Sequence, residues 1–185
     1  MGTKMQAGSP RYNAASITLH WAMALLLVAV YVLINVADVF PKGSDARQAV
    51  KDWHFMLGLL VGVLVWLRIV LRLASTAPPI VPPPPPWQDK AAKAAHVLLY
   101  VLMVGMPILG WLLLSAGGKP IPFFGLELPA LLAPDKALGR QIKDIHELGG
   151  NLGYVLIGGH AAAALWHHYV VRDNTLARMG FRRRT

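Results

Sequence analysis

Four long apolar segments, separated by shorter polar stretches, set the pattern of this sequence. Continuous apolar runs of about 18 or more residues are long enough to cross the hydrocarbon core of a bilayer as helices. The sequence therefore predicts four membrane spans, at residues 17–40, 49–73, 91–114 and 142–171.

The connections between the predicted spans are rich in proline and glycine. The stretch TAPPIVPPPPPW, between the second and third spans, is expected to form a short, stiff polyproline II strap. Residues 115–140 contain GGKPIPFFGLELPALLAPDK, whose proline and glycine break helices and whose apolar residues indicate a segment lying on the protein or the membrane surface. Without an internal repeat or a domain boundary, residues 1–185 are predicted to form one all-α, four-transmembrane-helix bundle.

The composition narrows the chemistry that the bundle can support. The chain is 55% apolar and contains no cysteine. The absence of cysteine excludes disulfides, iron–sulfur clusters and covalent attachment of haem at a C-x-x-C-H motif. Any haem is therefore held non-covalently by side-chain ligands.

The formal net charge of +9 is distributed unevenly along the chain. Four spans place both termini on one side, and that side carries 11 of the 18 Lys and Arg residues but only two of the nine Asp and Glu residues. The positive-inside rule therefore predicts a multi-pass protein with both termini in the cytoplasm. The basic tail FRRRT is interpreted as part of this topology signal, and nucleic acid is not an expected partner.

Histidines lie within the predicted spans, where ionisable residues are costly and usually face a functional interior. A hydrogen bond between helices is the alternative role for any one of them. The predicted topology sorts five of them by depth: His54 and His146 lie near the outer face, and the remaining three lie near the inner face, namely His20, His96 and His160.

Two layers of imidazoles suit two six-coordinate b-type haems, because haem iron accepts a neutral imidazole on each axial face. The outer layer offers only His54 with His146, whereas the inner layer needs His160 with either His20 or His96. Zinc is the competing metal, but it prefers closely spaced tetrahedral ligands that often include cysteine or carboxylate.

The segment HELGGNLGYVLIGGH joins the two layers. Its two histidines, His146 and His160, are fourteen residues apart, which on a helix places them on one face at levels about 21 Å apart. The five glycines between them allow a flat macrocycle to approach the backbone, although small residues also serve ordinary helix packing.

Several of these stretches resemble one family. ITLHW in the first span, HELGGNLGY and IGGHAAAALWHHY in the fourth, the loop APPIVPPPPP and the late stretch RDNTLARM are similar to the bacterial cytochrome b561 family, and within it to superoxide oxidases, over residues 12–179. The resemblance implies an inner-membrane protein with two haem b groups. It implies that His20 and His160 ligate the inner iron and that His54 and His146 ligate the outer iron.

The resemblance also implies an activity, that of a superoxide:ubiquinone oxidoreductase. Superoxide is oxidised at the periplasmic side and electrons pass through both haems to ubiquinone, with no obligatory protein partner. The alternative is a cytochrome b subunit that links a periplasmic dehydrogenase or hydrogenase to the quinone pool, which needs more outer surface for docking than these loops offer. A haem or metal transporter is a third class, and it predicts labile haem.

Further residues acquire expected roles from this assignment. His96 and His167, left without iron, are candidates to contact the quinone as proton donors or hydrogen-bond partners. Arg68 and Arg72 share one helix face, where they are expected to bind haem propionates, flank the quinone or extend to lipid phosphates.

On the outer side, basic residues lie within a few positions of the outer histidines. They are candidates to hold haem propionates or to attract superoxide, and they are Lys51, Arg140 and Lys143.

Overall fold

The computed structural model describes residues 11–180 and is built mainly from four long helices. They are α1 (Ala14–Ala37), α2 (Asp45–Leu73), α3 (Pro86–Ala116) and α4 (Lys136–Trp166). A π-helical turn (His167–Val171) continues α4, and a 3-10 turn (Ala177–Met179) follows it. Two short strands, β1 (Pro122–Phe123) and β2 (Leu126–Glu127), form an antiparallel hairpin between α3 and α4.

The four predicted helices are present, and each begins several residues before the predicted membrane span. Every helix begins before its apolar run, because polar side chains cap the first turn: Asn13, Ser44 and Asp135 each accept a hydrogen bond from a backbone N–H of α1, α2 or α4. The helix α3 instead has proline at its first position, where the missing N–H costs nothing. The apolar runs therefore located the helices but not their first residues.

The segment at 115–140 was predicted to be irregular and to lie on the surface. It contains the β1–β2 hairpin, which packs against α2, and Ile121 beside it is buried with Leu59 and Leu114. Most of the other apolar residues of this loop remain exposed. The hairpin thus closes the outer end of the bundle on one side.

Three helices of the described chain, α1, α2 and α3, are long and apolar enough to cross a membrane. Helix α4 is long enough, since its 31 residues extend about 46 Å, but its first half is rich in charged residues and glycine. The membrane crossing of α4 therefore stays a prediction.

The packing order of the helices leaves α1 and α4 on opposite sides of the interior. Helix α1 packs against α2, α2 also against α3, and α3 against α4. An apolar cluster of Met23, Val61, Val65 and Met103 joins the first three helices. The described contacts between α1 and α4 are made largely by aromatic, histidine and polar side chains.

One of these contacts is built around Tyr31 of α1. Its hydroxyl donates to the carbonyl of Gly150 at 2.9 Å, and its ring lies 4.5 Å from that of Tyr154. Asn35 donates to the Tyr154 hydroxyl at 2.7 Å. Gly153 is buried beneath Tyr31, and a Cβ atom at this position would overlap the Tyr31 hydroxyl. Glycine is therefore required there for α4 to approach α1.

The inner end is closed by residues 172–180, which turn back after α4. Asn174 and Val81 exchange two hydrogen bonds, at 2.9 and 3.2 Å, and Arg178 donates to the carbonyl of Pro78. The indole N–H of Trp21 donates to the carbonyl of Met179 at 2.9 Å. This C-terminal segment therefore ties the proline-rich strap to α1, which gives the RDNTLARM stretch a structural role.

Candidate functional site

The outer histidines meet across the bundle. His54 of α2 and His146 of α4 are both half-buried, with ring centroids 6.5 Å apart and planes inclined at 78°. An imidazole nitrogen binds a metal at about 2 Å, so one iron held between two rings places their centroids about 6 Å apart. The spacing of this pair therefore fits a single iron between the rings.

Hydrogen bonding supports the same interpretation of the outer pair. The Nδ1–H of His54 donates to the carbonyl of Val30 at 2.9 Å, which leaves the lone pair of Nε2 free for a metal. His146 Nδ1 is buried and has no hydrogen-bond partner among the described residues. Because buried polar atoms are nearly always partnered, this nitrogen indicates that a non-protein group completes the site.

A cavity of about 1080 Å³ surrounds the outer pair. That volume is at the upper end of the range of about 300–1,000 Å³ for cofactor and ligand pockets. Its walls are mainly apolar, and glycines of α2, α3 and α4 line it, including Gly110. A Cβ atom at Gly110 would lie 3.5 Å from His146 Cε1, so this glycine leaves room for the ring. The sequence had suggested no role for Gly110, because the outer ligands were predicted on the second and fourth spans and Gly110 lies on the third.

Cations surround the mouth of this cavity. The three predicted residues, Lys51, Arg140 and Lys143, all line it. Four further basic residues line it as well, namely Lys42, Arg47, Lys119 and Lys136. Sequence reasoning missed these four because they are spread over separate segments that only the fold brings together.

The mouth cations differ in how they are paired. Arg47 forms an ion pair with Asp38 at 2.5 Å, and Lys143 with Glu147 at 2.6 Å. Lys51 and Arg140 form no ion pair among residues 11–180. The charges of Lys51 and Arg140 are therefore less neutralised than that of Lys143.

The inner histidines form a cluster of three. The ring centroids of His20 and His160 are 6.3 Å apart, close to the spacing of the outer pair. The centroids of His96 and His160 are 5.4 Å apart, which is short for an iron held between two rings. The geometry therefore favours His20 over His96 as the partner of His160. His96 is exposed beside them and hydrogen-bonds the backbone of Ala92 in its own helix.

The two predicted arginines have different surroundings. The guanidinium of Arg68 donates to His20 Nδ1 at 2.9 Å. Arg72, one turn further along α2, is exposed, and its guanidinium lies 6.0 Å from the ring centroid of Tyr12. Only Arg68 therefore contacts a candidate iron ligand.

His167 is held by a carboxylate that sequence reasoning did not assign. Its Nδ1 lies 2.6 Å from Oδ2 of Asp173, and Asp173 also accepts from the backbone N–H of Thr175 at 2.8 Å. Burial raises the pKa of Asp173, but the hydrogen bonds from His167 and Thr175 outweigh burial and hold the pKa below its usual value. No periodicity connects these two residues, because the chain leaves the helix between them.

Comparison with known proteins identifies the family. A model of prokaryotic cytochrome b561 matches residues 11–182. The chain is 39% identical over 174 residues to Cytochrome b561 homolog 1 of Escherichia coli strain K12, covering 94% of this chain and 99% of that protein. It is 35% identical over 169 residues to Probable superoxide oxidase CybB of Yersinia pestis, covering 91% and 95%. It is 32% identical over 177 residues to Cytochrome b562 of Cereibacter sphaeroides, covering 92% and 95%.

These matches span nearly the whole chain and confirm the resemblance found in the sequence. They agree with the membrane-spanning helices and with histidine pairs suited to iron. The chain belongs to the prokaryotic cytochrome b561 family, whose members are membrane oxidoreductases that transport electrons through b-type haem.

Proposed function

We propose that this protein is a superoxide:ubiquinone oxidoreductase of the bacterial inner membrane, folded as one four-span domain that holds two haem b groups. The observation that carries the proposal is the presence of two histidine pairs with matching centroid distances, 6.5 Å at the outer level and 6.3 Å at the inner level. The relative from Yersinia pestis, named a probable superoxide oxidase, supports the choice of substrate. Haem, when bound, supplies a one-electron couple at each level.

The proposed reaction balances in atoms and charge. Two superoxide anions each give up one electron and leave as dioxygen. Ubiquinone takes up the two electrons and two protons and leaves as ubiquinol. The protein must therefore attract an anion on one side of the membrane and supply protons on the other.

At the outer level, His54 and His146 hold the iron, and the Val30 carbonyl fixes the orientation and tautomer of His54. Lys51 and Arg140, without ion pairs among the described residues, provide the attraction for superoxide. The contribution of Lys143 is smaller, because Glu147 offsets its charge.

At the inner level, His20 and His160 hold the iron, and two further histidines serve the quinone. His96 is exposed beside His160 and can donate a hydrogen bond to a quinone carbonyl. His167 can offer the quinone the ring nitrogen that does not face Asp173. Arg72 makes no hydrogen bond to the inner histidines among the described residues, and its exposed guanidinium suits lipid phosphate or the quinone edge.

The orientation follows from charge. The described inner ends of the helices carry arginine and lysine with few carboxylates, which favours a cytoplasmic location of both termini. Lys4 and the arginines at 182–184 contribute to this argument from the sequence but lie outside the described residues.

The experiment that tests the proposal uses the purified protein with its native haem. Haem content is measured per chain, superoxide is generated in solution, and haem reduction and then ubiquinol formation are followed optically. Reduction by superoxide without a protein partner, followed by quinol formation, is the expected result. Haem that is reduced by ubiquinol but not by superoxide would support the subunit alternative instead. Labile haem at less than one per chain would support a transporter.

A further inference from the structure

The ring nitrogen Nδ1 has a different hydrogen-bond partner in a candidate iron ligand of each level. At the outer level, His54 Nδ1 faces a neutral backbone carbonyl, that of Val30, at 2.9 Å. At the inner level, His20 Nδ1 faces the guanidinium of Arg68, also at 2.9 Å. Two otherwise similar histidine pairs thus differ by one positive charge in direct contact with a ligand.

We propose that Arg68 is a positioning residue that raises the reduction potential of the inner haem above that of the outer haem and so directs electrons inward. This inference rests on the proposed function, because it requires haem between His20 and His160. It assigns to Arg68 a role in the direction of electron flow.

The charge of Arg68 is well placed to act on the inner site. A guanidinium stays protonated in proteins. Among residues 11–180, Arg68 forms no ion pair with a carboxylate, and its side chain is half-buried within the bundle. Charges interact more strongly where water is excluded than in bulk solvent. When iron accepts an electron, the site gains one negative charge, which the nearby cation stabilises, so the potential rises.

The outer level also has cations nearby, but their setting weakens their effect. They line the mouth of an open cavity, and two of them are paired with Asp38 and Glu147. Exposed charges are screened by water and by salt within about 10 Å at 0.1 M ionic strength. None of them hydrogen-bonds His54 or His146 among the described contacts. The half-buried charge of Arg68, with no ion pair within residues 11–180, therefore has the larger effect on the potential of its haem.

Haem binding changes the hydrogen-bond partner of Arg68 but leaves its charge at the inner site. A guanidinium only donates, so His20 Nδ1 is the acceptor in the arrangement described here. Ligation through Nε2 by a neutral imidazole places the ring proton of His20 on Nδ1, so Arg68 turns to another acceptor such as a haem propionate. The cation then stays next to the inner haem, and its removal lowers the potential there.

Arg72 provides a matched control. It carries the same charge on the same helix one turn away, but it is exposed and lies near Tyr12. Neutralising Arg72 therefore removes an equal charge from the same end of the protein without touching the ligand.

The test is a redox titration of the purified holoprotein, followed by the haem absorbance, for wild type, Arg68→Gln, Arg68→Lys and Arg72→Gln. The inner and outer components are assigned by their separate loss in His160→Ala and His54→Ala. We expect Arg68→Gln to shift only the inner midpoint to a more negative value, Arg68→Lys to shift it less, and Arg72→Gln to leave both midpoints in place.

The outcomes separate this inference from the function on which it rests. One haem per wild-type chain overturns the proposed function and this inference together. Two haems with both midpoints unchanged in Arg68→Gln, or equally shifted in Arg72→Gln, overturn this inference alone. If Arg68→Gln loses the inner haem, the test uses the single-haem variants. The inner haem, kept by His54→Ala, must then have a higher potential than the outer haem, kept by His160→Ala. The reverse order overturns the inference.

Discussion

The contact between Gly153 and Tyr31 allows a quantitative test of how α4 approaches α1. In Gly153→Ala, the new methyl group overlaps the Tyr31 hydroxyl, so Tyr31 must move and its bond to the Gly150 carbonyl is lost. Overpacking costs about 1–3 kcal/mol, and the lost hydrogen bond costs about 1 kcal/mol. The expected destabilisation is therefore roughly 2–4 kcal/mol, measured against a Gly→Ala change elsewhere in the same helix.

Gly158→Ala provides that reference, because a Cβ atom there meets nothing within 4 Å. Both substitutions gain about 1 kcal/mol in helix propensity, because alanine favours a helix over glycine by that amount. The protein is unfolded by adding a denaturing detergent to its solution in mild detergent, and unfolding is followed by circular dichroism. Haem retention is followed in parallel.

A double-mutant cycle with Tyr31→Phe then tests the cause. Tyr31→Phe alone should cost about 1 kcal/mol through the lost hydrogen bond. In the double variant the methyl group still meets the ring, at 3.2 Å from Cζ, and Leu102 Cδ2 at 3.3 Å, but the overlap with the hydroxyl disappears. The double variant should be more stable than the sum of the single changes by about 1 kcal/mol. Additivity within about 0.5 kcal/mol would refute the close-approach argument.

The remaining predictions concern the proposed site and the inner end. His146→Ala should lose one of two haems per chain and keep the fold. His168→Ala should keep both haems, because its ring contacts Tyr169 rather than another histidine in the described contacts. The haem-to-protein ratio and circular dichroism check this, and loss of either haem from His168→Ala would contradict it. Lys51→Gln should slow haem reduction by superoxide several-fold at low salt. Lys143→Gln should slow it less, because Glu147 already offsets the charge of Lys143. Rates of haem reduction that stopped-flow finds equal at low and high salt would argue against local attraction. The lowered pKa of Asp173 means that its stabilisation is fully present above the usual value of 3.8 and is lost as pH falls through the lowered pKa. Asp173→Asn should therefore be less stable than wild type at neutral pH and converge with it in acid, and a pH-independent difference in unfolding would contradict the assignment.

The sequence was sufficient to locate four helices, because apolar runs record which residues meet lipid. It misplaced their starts, because capping by residues such as Asn13 and Ser44 depends on local backbone geometry in polar stretches. The fourth membrane span remains a prediction, because the polar first half of α4 carries no clear signal of membrane burial.

For the candidate site, reasoning from depth was effective where only two histidines shared a level. It brought His54 and His146 together, but it left His20 and His96 as alternatives, because depth does not specify the direction in which a helix face points. Packing supplies that direction and sets the two distances to His160 at 6.3 and 5.4 Å. The contact of Asp173 with His167 was missed because it follows a π-helical turn, where helical spacing no longer applies.

The C-terminal segment has a consequence for biogenesis. Within residues 11–180, the indole N–H of Trp21 and the strap at 78–81 are hydrogen-bonded by residues 174–179, which leave the ribosome after all four helices. The inner end of the bundle therefore reaches its final form only after the last helix has been made. Until then this end lacks its closing hydrogen bonds, so we expect the inner histidine cluster to be accessible from that end until residues 172–180 are in place.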